Sequence, residues 1–100
     1  MKSIEQVMAG PNANDYYSAA SFYLDENKDL DKALTWINKA IEKRDSPAFW
    51  YHRKKSLILA AKGDKKAAIA EAKTSMALAE KAGNADYVKM NKESIAMWSK

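Results

Sequence analysis

A chain of 100 residues supports one domain with a modest core and not two. It is 47% hydrophobic and 30% charged, the balance of a soluble globular protein, and it has no cysteine, which excludes disulfides, thiol nucleophiles and cysteine metal sites. No apolar run approaches the roughly 20 residues that span a bilayer, and the net charge of +4 is unevenly spread: Asp15 to Asp31 carries five acids against Lys28, whereas Lys43 to Lys66 carries eight Lys and Arg against Asp45 and Asp64. Such runs read either as two solvated faces or as a basic surface for an acidic partner.

With only 3 Gly and 2 Pro, long helices are favoured over a fold with many turns. Ser3 and Gln6 have the spacing of a capping box for a short first helix through Ala9, which Gly10-Pro11-Asn12 ends. Asn14 or Asp15 is then the expected cap of a helix running to about Glu26. After a turn at Asn27-Lys28, Asp29 caps a second helix with Leu30, Ala33, Leu34, Ile37, Ala40 and Ile41 on one face, a stripe with the three- and four-residue spacing of an amphipathic helix. Ser46-Pro47 predicts the next start, since serine accepts from an unpaired N–H and proline has none to waste at the first helical position. That helix reaches about Lys62, and Gly63-Asp64 supplies a C-terminal glycine and a new cap. The following helix carries Ala67, Ala68, Ile69, Ala72, Ser75, Met76 and Ala79. Gly83-Asn84 repeats the stop and start, and a last helix over about 85–99 carries Val88, Ile95 and Trp98 on one side, with Tyr87, Met90 and Met97 beside them. No strand is expected.

The helices starting at Asp29 and Asp64 align at an offset of 35. Ala33 falls on Ala68, Leu34 on Ile69, Ile37 on Ala72, Ala40 on Ser75 and Ile41 on Met76. A period of this size is a sign of stacked helical hairpins. Small residues at such positions let two helix backbones approach closely.

This pattern resembles the tetratricopeptide repeat. Ala33, Ile37 and Ala40 match the family's small–large–small second helix, as do Ala68 and Ser75 with an undersized Ala72 between them. Pro47 stands where the family closes a repeat, and Gly63-Asp64 matches its turn. In the first helices, Ser21 and Ser56 take the small position and Leu24 and Leu59 the large one, but Tyr17 and His52 replace the usual Trp, and Ala20 and Lys55 the usual Leu. The resemblance implies an all-α fold of antiparallel helix–turn–helix repeats. It places a first repeat at about 14–46, a second at about 47–82 and a capping helix at about 85–99, within a single domain over 1–100 that also holds the short N-terminal helix. The runs Tyr16 to Tyr23, Lys32 to Ala40 and Ala48 to Tyr51 also look like the C-terminal helical tail of a family of bacterial proteins that carry a β-rich domain ahead of it, often with an export signal. On that likeness the chain is a piece of something larger, placed in the periplasm or cell envelope. As written, without a signal peptide's apolar core, it is expected to be soluble and unexported.

Catalysis finds little to work with. His52 is the only histidine, and a triad or a metal site needs partners converging on it. Asp29 and Asp31 are explained by the helix N-terminus they occupy, and no phosphate-binding glycine loop is present. A non-catalytic chain with no cofactor and no metal is therefore expected. The aromatics say more. Phe49, Trp50 and Tyr51 are consecutive, and each helical step turns about 100°, so at least one must face a groove, a partner or solvent. In the geometry the resemblance implies, Trp50, Arg53 and Leu57 project toward the concave face, with Lys54 at its edge. There Arg53 offers a planar fork for a carboxylate and Trp50 an apolar wall. The family's carboxylate clamp is not expected, because Ser18 and Phe22 stand where it needs Lys and Asn.

Two functional expectations follow. One is a protein- or peptide-binding module, for a partner of acidic character, using Trp50, Arg53, Lys54 and Leu57; reversing the charges of Arg53 and Lys54 should abolish capture and leave thermal stability unchanged. The other is a structural C-terminal appendage that packs on a sister domain or on itself as a homodimer. A nucleic-acid partner is not expected: the basic residues come without a recognised motif and are interspersed with ordinary helix surface.

Overall fold

The computed structural model describes residues 12–44 and 48–100. The expected short helix from Ser3 to Ala9 and the Ser46-Pro47 start both lie outside the described residues. Five helices follow one another, α1 (Ala13–Asp25), α2 (Leu30–Lys43), α3 (Phe49–Ala61), α4 (Lys65–Ala82) and α5 (Ala85–Trp98). There is no strand among the described residues.

Local chemistry sets most of the boundaries. Asp29, Asp64 and Asn84 each accept a hydrogen bond from the backbone N–H three residues on, at 3.0–3.1 Å, which stabilises a helix start by about 1 kcal/mol. The cap of α1 differs from expectation. It is Asn12, not Asn14 or Asp15: Asn12 accepts from Asp15 N at 2.9 Å, and the Asp15 carboxylate accepts from Asn12 N at 3.2 Å. Two unpaired donors are satisfied reciprocally, and Asp15 serves as the third residue of the box rather than as the cap. α3 begins with Ala48 in the cap position and no side-chain bond there. Asn27 and Gly63 turn the chain at the ends of α1 and α3 with φ of 51° and 92°, a region where an ordinary side chain is strained.

α1 packs on α2, α3 on α4, and α5 back on α4, while α3 also meets α2, α1 and α5. The result is two antiparallel hairpins with a fifth helix closing the second. The first interior gathers Ala20, Ala33, Ile37, Ala40, Ala48, Tyr51 and Ile58; the second gathers Leu59, Ala68, Ala72 and Trp98. Leu34 packs against both, so the interior is continuous. The small residues do what their positions suggested: Ala33, Ala40, Ala68, Ala72 and Ser75 are fully buried, at crossings where a larger side chain would hold the backbones apart.

The repeat is not uniform. The caps of α2 and α4, Asp29 and Asp64, are 35 apart, but those of α1, α3 and α5, Asn12, Ala48 and Asn84, are 36 apart. The turn hydrogen bonds follow the longer step: Lys28 N to Tyr23 O recurs as Asp64 N to Leu59 O. The register of the first helices is corrected accordingly. Ser56 corresponds to the fully buried Ala20 rather than to Ser21, and Arg53 corresponds to Tyr17.

Candidate functional site

α3 is the central helix, touched by every other helix of the fold. Its side chains must therefore serve several neighbours at once, which is why apolar and basic residues alternate around it. Tyr51, Ser56, Ile58 and Leu59 turn inward and are buried. Arg53 and Lys54, neighbours on the helix, lie half-buried; Arg53 contacts α5 and Lys54 contacts α1.

Arg53 donates through Nη1 to Asn91 Oδ1 at 3.1 Å and to Ser94 Oγ at 3.0 Å, both on α5. Asn91 is fully buried and uses its amide in both directions, donating to Ser75 Oγ at 2.9 Å. Ser75 in turn donates to the Phe49 carbonyl at 2.7 Å. One polar chain thus runs from the start of α3 through α4 and α5 back to the middle of α3. Every member is neutral except Arg53, and neither Arg53 nor Lys54 forms an ion pair among the described residues. Burial pushes the Arg53 guanidinium below its ordinary value, with the Tyr87 phenol opposing the shift; its charge is partly stripped of water and has no counter-ion among the described residues.

Lys54 places its ammonium 5.6 Å from the centroid of the Tyr17 ring, a cation–π contact. Tyr17 stacks on Tyr51 at 4.8 Å, and Tyr87 meets Phe49 edge-on at 4.8 Å. Tyr17 and Tyr87 lie close enough to interact electrostatically. Burial is the main cause that pushes the Tyr17 phenol up, with Tyr87, Tyr51 and Asp25 adding to it. A hydrogen bond to Ser21 opposes the rise, and the net upward shift keeps the Tyr17 phenol protonated and able to donate. Tyr17, Arg53, Lys54 and Tyr87, from the three odd-numbered helices, are thus linked pairwise: Lys54 to Tyr17 by its cation–π contact, and Tyr87 to Tyr17 and Arg53 electrostatically.

The four residues singled out from the sequence separate in space. Arg53 and Lys54 enter this cluster. Trp50 instead lines a cleft with Asn12, Ala13, Asn14, Lys43, Arg44 and Tyr51, with the Arg44 guanidinium 5.2 Å over its ring. Leu57 is half-buried and packs against the second interior with Leu59 and Trp98. Of the three consecutive aromatics, Tyr51 is buried and Phe49 and Trp50 are half-buried, as their 100° steps require. Asn91, Ser94 and Tyr87 were missed as site residues. The signal existed for Asn91, since it falls on the apolar stripe of Val88, Ile95 and Trp98, where a polar residue must find a partner.

His52 has a specific local role. Its Nδ1 lies 2.9 Å from Glu71 Oε1, joining α3 to α4. The hydrogen bond from His52 holds the Glu71 carboxyl below its ordinary 4.5, against the pull of burial, with Lys55 assisting. A carboxylate whose folded pKa is depressed adds stability above its unfolded value, and that stability is lost as pH falls through the folded value. Glu71→Gln should therefore be less stable than the parent at neutral pH, and the gap should narrow as pH falls through the lowered folded value; urea midpoints across the acid range measure it. An unchanged gap would show that the pair does not carry the effect. Between the hairpins, the Lys62 ammonium pairs with the Asp31 carboxylate.

Among the described residues no group of three or more His, Asp or Glu could hold a metal ion, and no helix is long and apolar enough to cross a membrane. No protein-family model, no curated protein and no solved structure matches the chain.

Proposed function

We propose that this chain is a non-catalytic binding domain of the tetratricopeptide kind, which holds a peptide or partner protein on the face formed by α1, α3 and α5. The observation that carries the reading is Arg53. A half-buried guanidinium held by two neutral side chains, with no carboxylate paired to it among the described residues, is costly unless an anion completes it. Lys54 adds a second such cation. An acidic group on a partner supplies what the fold leaves out. The 35-residue spacing of the small residues in α2 and α4, all buried at helix crossings, supports the repeat kinship.

The decisive variant is not full charge reversal. Arg53 anchors α5, so a glutamate there would cost stability as well as binding, contrary to the sequence-based expectation of an unchanged fold. Arg53→Gln removes the charge without burying a new one, although its side chain ends short of Asn91 and Ser94, and Lys54→Glu alters only the rim. The double variant is expected to melt somewhat earlier than the parent and, at a temperature where both are folded, to lose capture of partner by about tenfold or more. Lys54→Glu alone is expected to lose capture several-fold with its melting curve unchanged. Undiminished capture would remove this face from consideration.

A second reading, an appendage that packs on a sister domain or a second copy, rests on Phe22 and Met97. They are the exposed large apolar side chains among the described residues, at 54% and 59%, and they sit on the first and last helices. Sedimentation of the same samples tests it: a monomer in all of them removes self-association.

A further inference from the structure

We propose that the cluster of Tyr17, Arg53, Lys54 and Tyr87 is a seat for a phosphate monoester carried on an otherwise uncharged stretch of peptide. This rests on the reading of the α1–α3–α5 face as a binding surface, and it names the group bound there.

The guanidinium geometry is the first argument. Arginine has five N–H donors in a plane. Asn91 and Ser94 take both of those on Nη1. Nε and both donors of Nη2 make no hydrogen bond with the described residues. That remaining edge is a two-pronged fork of the kind that grips two oxygens of one oxyanion. Asn91 is fully buried and tied to Ser75, so the fork is held in place before a ligand arrives, which lowers the ordering cost of binding.

The second argument is charge. Arg53 and Lys54 together bring two positive charges, and neither is ion-paired among the described residues. A carboxylate would balance one of them. A phosphate monoester carries about −1.5 to −2 at neutral pH and presents three terminal oxygens. It matches both cations, and the two phenols of Tyr17 and Tyr87 add neutral donors for a third oxygen.

The third argument decides what carries the phosphate. A nucleic acid would lay a row of phosphates across the face. The flanking helix α1 presents Asp15 on its first turn and Asp25 at its end, followed by Glu26, and Asp25 already acts on Tyr17. Each further phosphate of a polyanion adds repulsion from these carboxylates, whereas a single phosphate on a neutral backbone meets the least of it.

The test is an NMR titration of the full chain at near-physiological salt. The probes are a blocked pentapeptide, acetyl-Gly-Ala-phosphoSer-Ala-Gly-amide, its serine and glutamate counterparts, the serine peptide with a free C-terminal carboxylate, and a short oligothymidylate. The phosphopeptide is expected to shift the Arg53 Nε–H signal and the amides of Tyr17, Lys54 and Tyr87, and to bind about tenfold more tightly than the serine peptide. Binding should weaken several-fold between about pH 7.5 and pH 5.5, because the phosphate regains a proton near pH 6. The step should persist in His52→Gln, which removes the only histidine. The other titratable groups around the seat are Asp25 and Tyr17 on α1, Tyr51 on α3 and Tyr87 on α5. Arg53→Gln and Lys54→Gln should each cost about tenfold in affinity, and Tyr17→Phe and Tyr87→Phe about threefold.

Equal affinity for the glutamate or free-carboxylate peptide overturns the phosphate assignment but leaves the binding face standing, provided Arg53 and Lys54 still matter. Tighter binding of the oligothymidylate overturns the peptide carrier. No shift at these residues with millimolar phosphopeptide overturns the seat itself; capture of partner protein that also survives Arg53→Gln/Lys54→Glu would then discard the face.

Discussion

Ile37→Asp is expected to destabilise the fold by about 3–5 kcal/mol. Ile37 is fully buried between Ala33 and Ala40 on the inner face of α2, where α1 and α3 both approach. A carboxylate there has no cation within the interior cluster, so it either ionises without a partner or folds only when protonated. Removing the isoleucine adds the loss of a large apolar contact. Since a domain of this size has only about 5–15 kcal/mol in total, much of the chain should unfold at neutral pH. Urea denaturation followed by circular dichroism measures the effect, and stability should partly return in acid. A midpoint near that of the parent at neutral pH would mean that α2 turns a different face inward.

Asn91→Leu has the next largest expected effect, about 2 kcal/mol. Leucine keeps the branching but is bulkier at its two ends, so the change adds some overpacking to the lost hydrogen bonds. Ser75 keeps its bond to the Phe49 carbonyl and loses only an accepted one. Arg53 loses the Asn91 acceptor and keeps Ser94, and a half-buried charge left short of an acceptor is the costlier defect. The variant should open α5 selectively: amide exchange over 85–98 should quicken, while α1 and α2 stay protected. Double-mutant coupling with Ser75→Ala should be substantial, since the two share one bond. Full stability in Asn91→Leu would show that apolar packing of α5 suffices and that the polar chain contributes nothing net, an outcome known for some buried ionic networks.

These two substitutions probe parts of the molecule that differed in how readable they were. Ile37 was evident from the chain alone. Asn91 was passed over because the stripe of Val88, Ile95 and Trp98 was read by its apolar members, and a polar residue among them has no meaning until its partners are known. Its partners stand 38 residues away at Arg53 and 16 away at Ser75. Trp50 and Leu57 illustrate the reverse error. The resemblance put them beside Arg53 on the concave face; Trp50 lines a cleft with Arg44, and the half-buried Leu57 packs against the second interior. Spacing gives the side of a helix, whereas the curvature of the face and the neighbours present decide what is left open.

Helix limits and inner faces belonged to the sequence because they depend on interactions three or four residues long. Asp29, Asp64 and Asn84 cap their own helices, and Ala33, Ile37 and Ala40 share a side through the 3.6-residue turn. The one-residue difference between the 36-residue step of the odd helices and the 35-residue step of the even ones, the meeting of Tyr17 with Lys54 and Tyr87, and the locking of Arg53 by α5 belonged to the tertiary structure. Each depends on how three helices approach one another, and that is settled by the fit of many side chains at once rather than by any local rule.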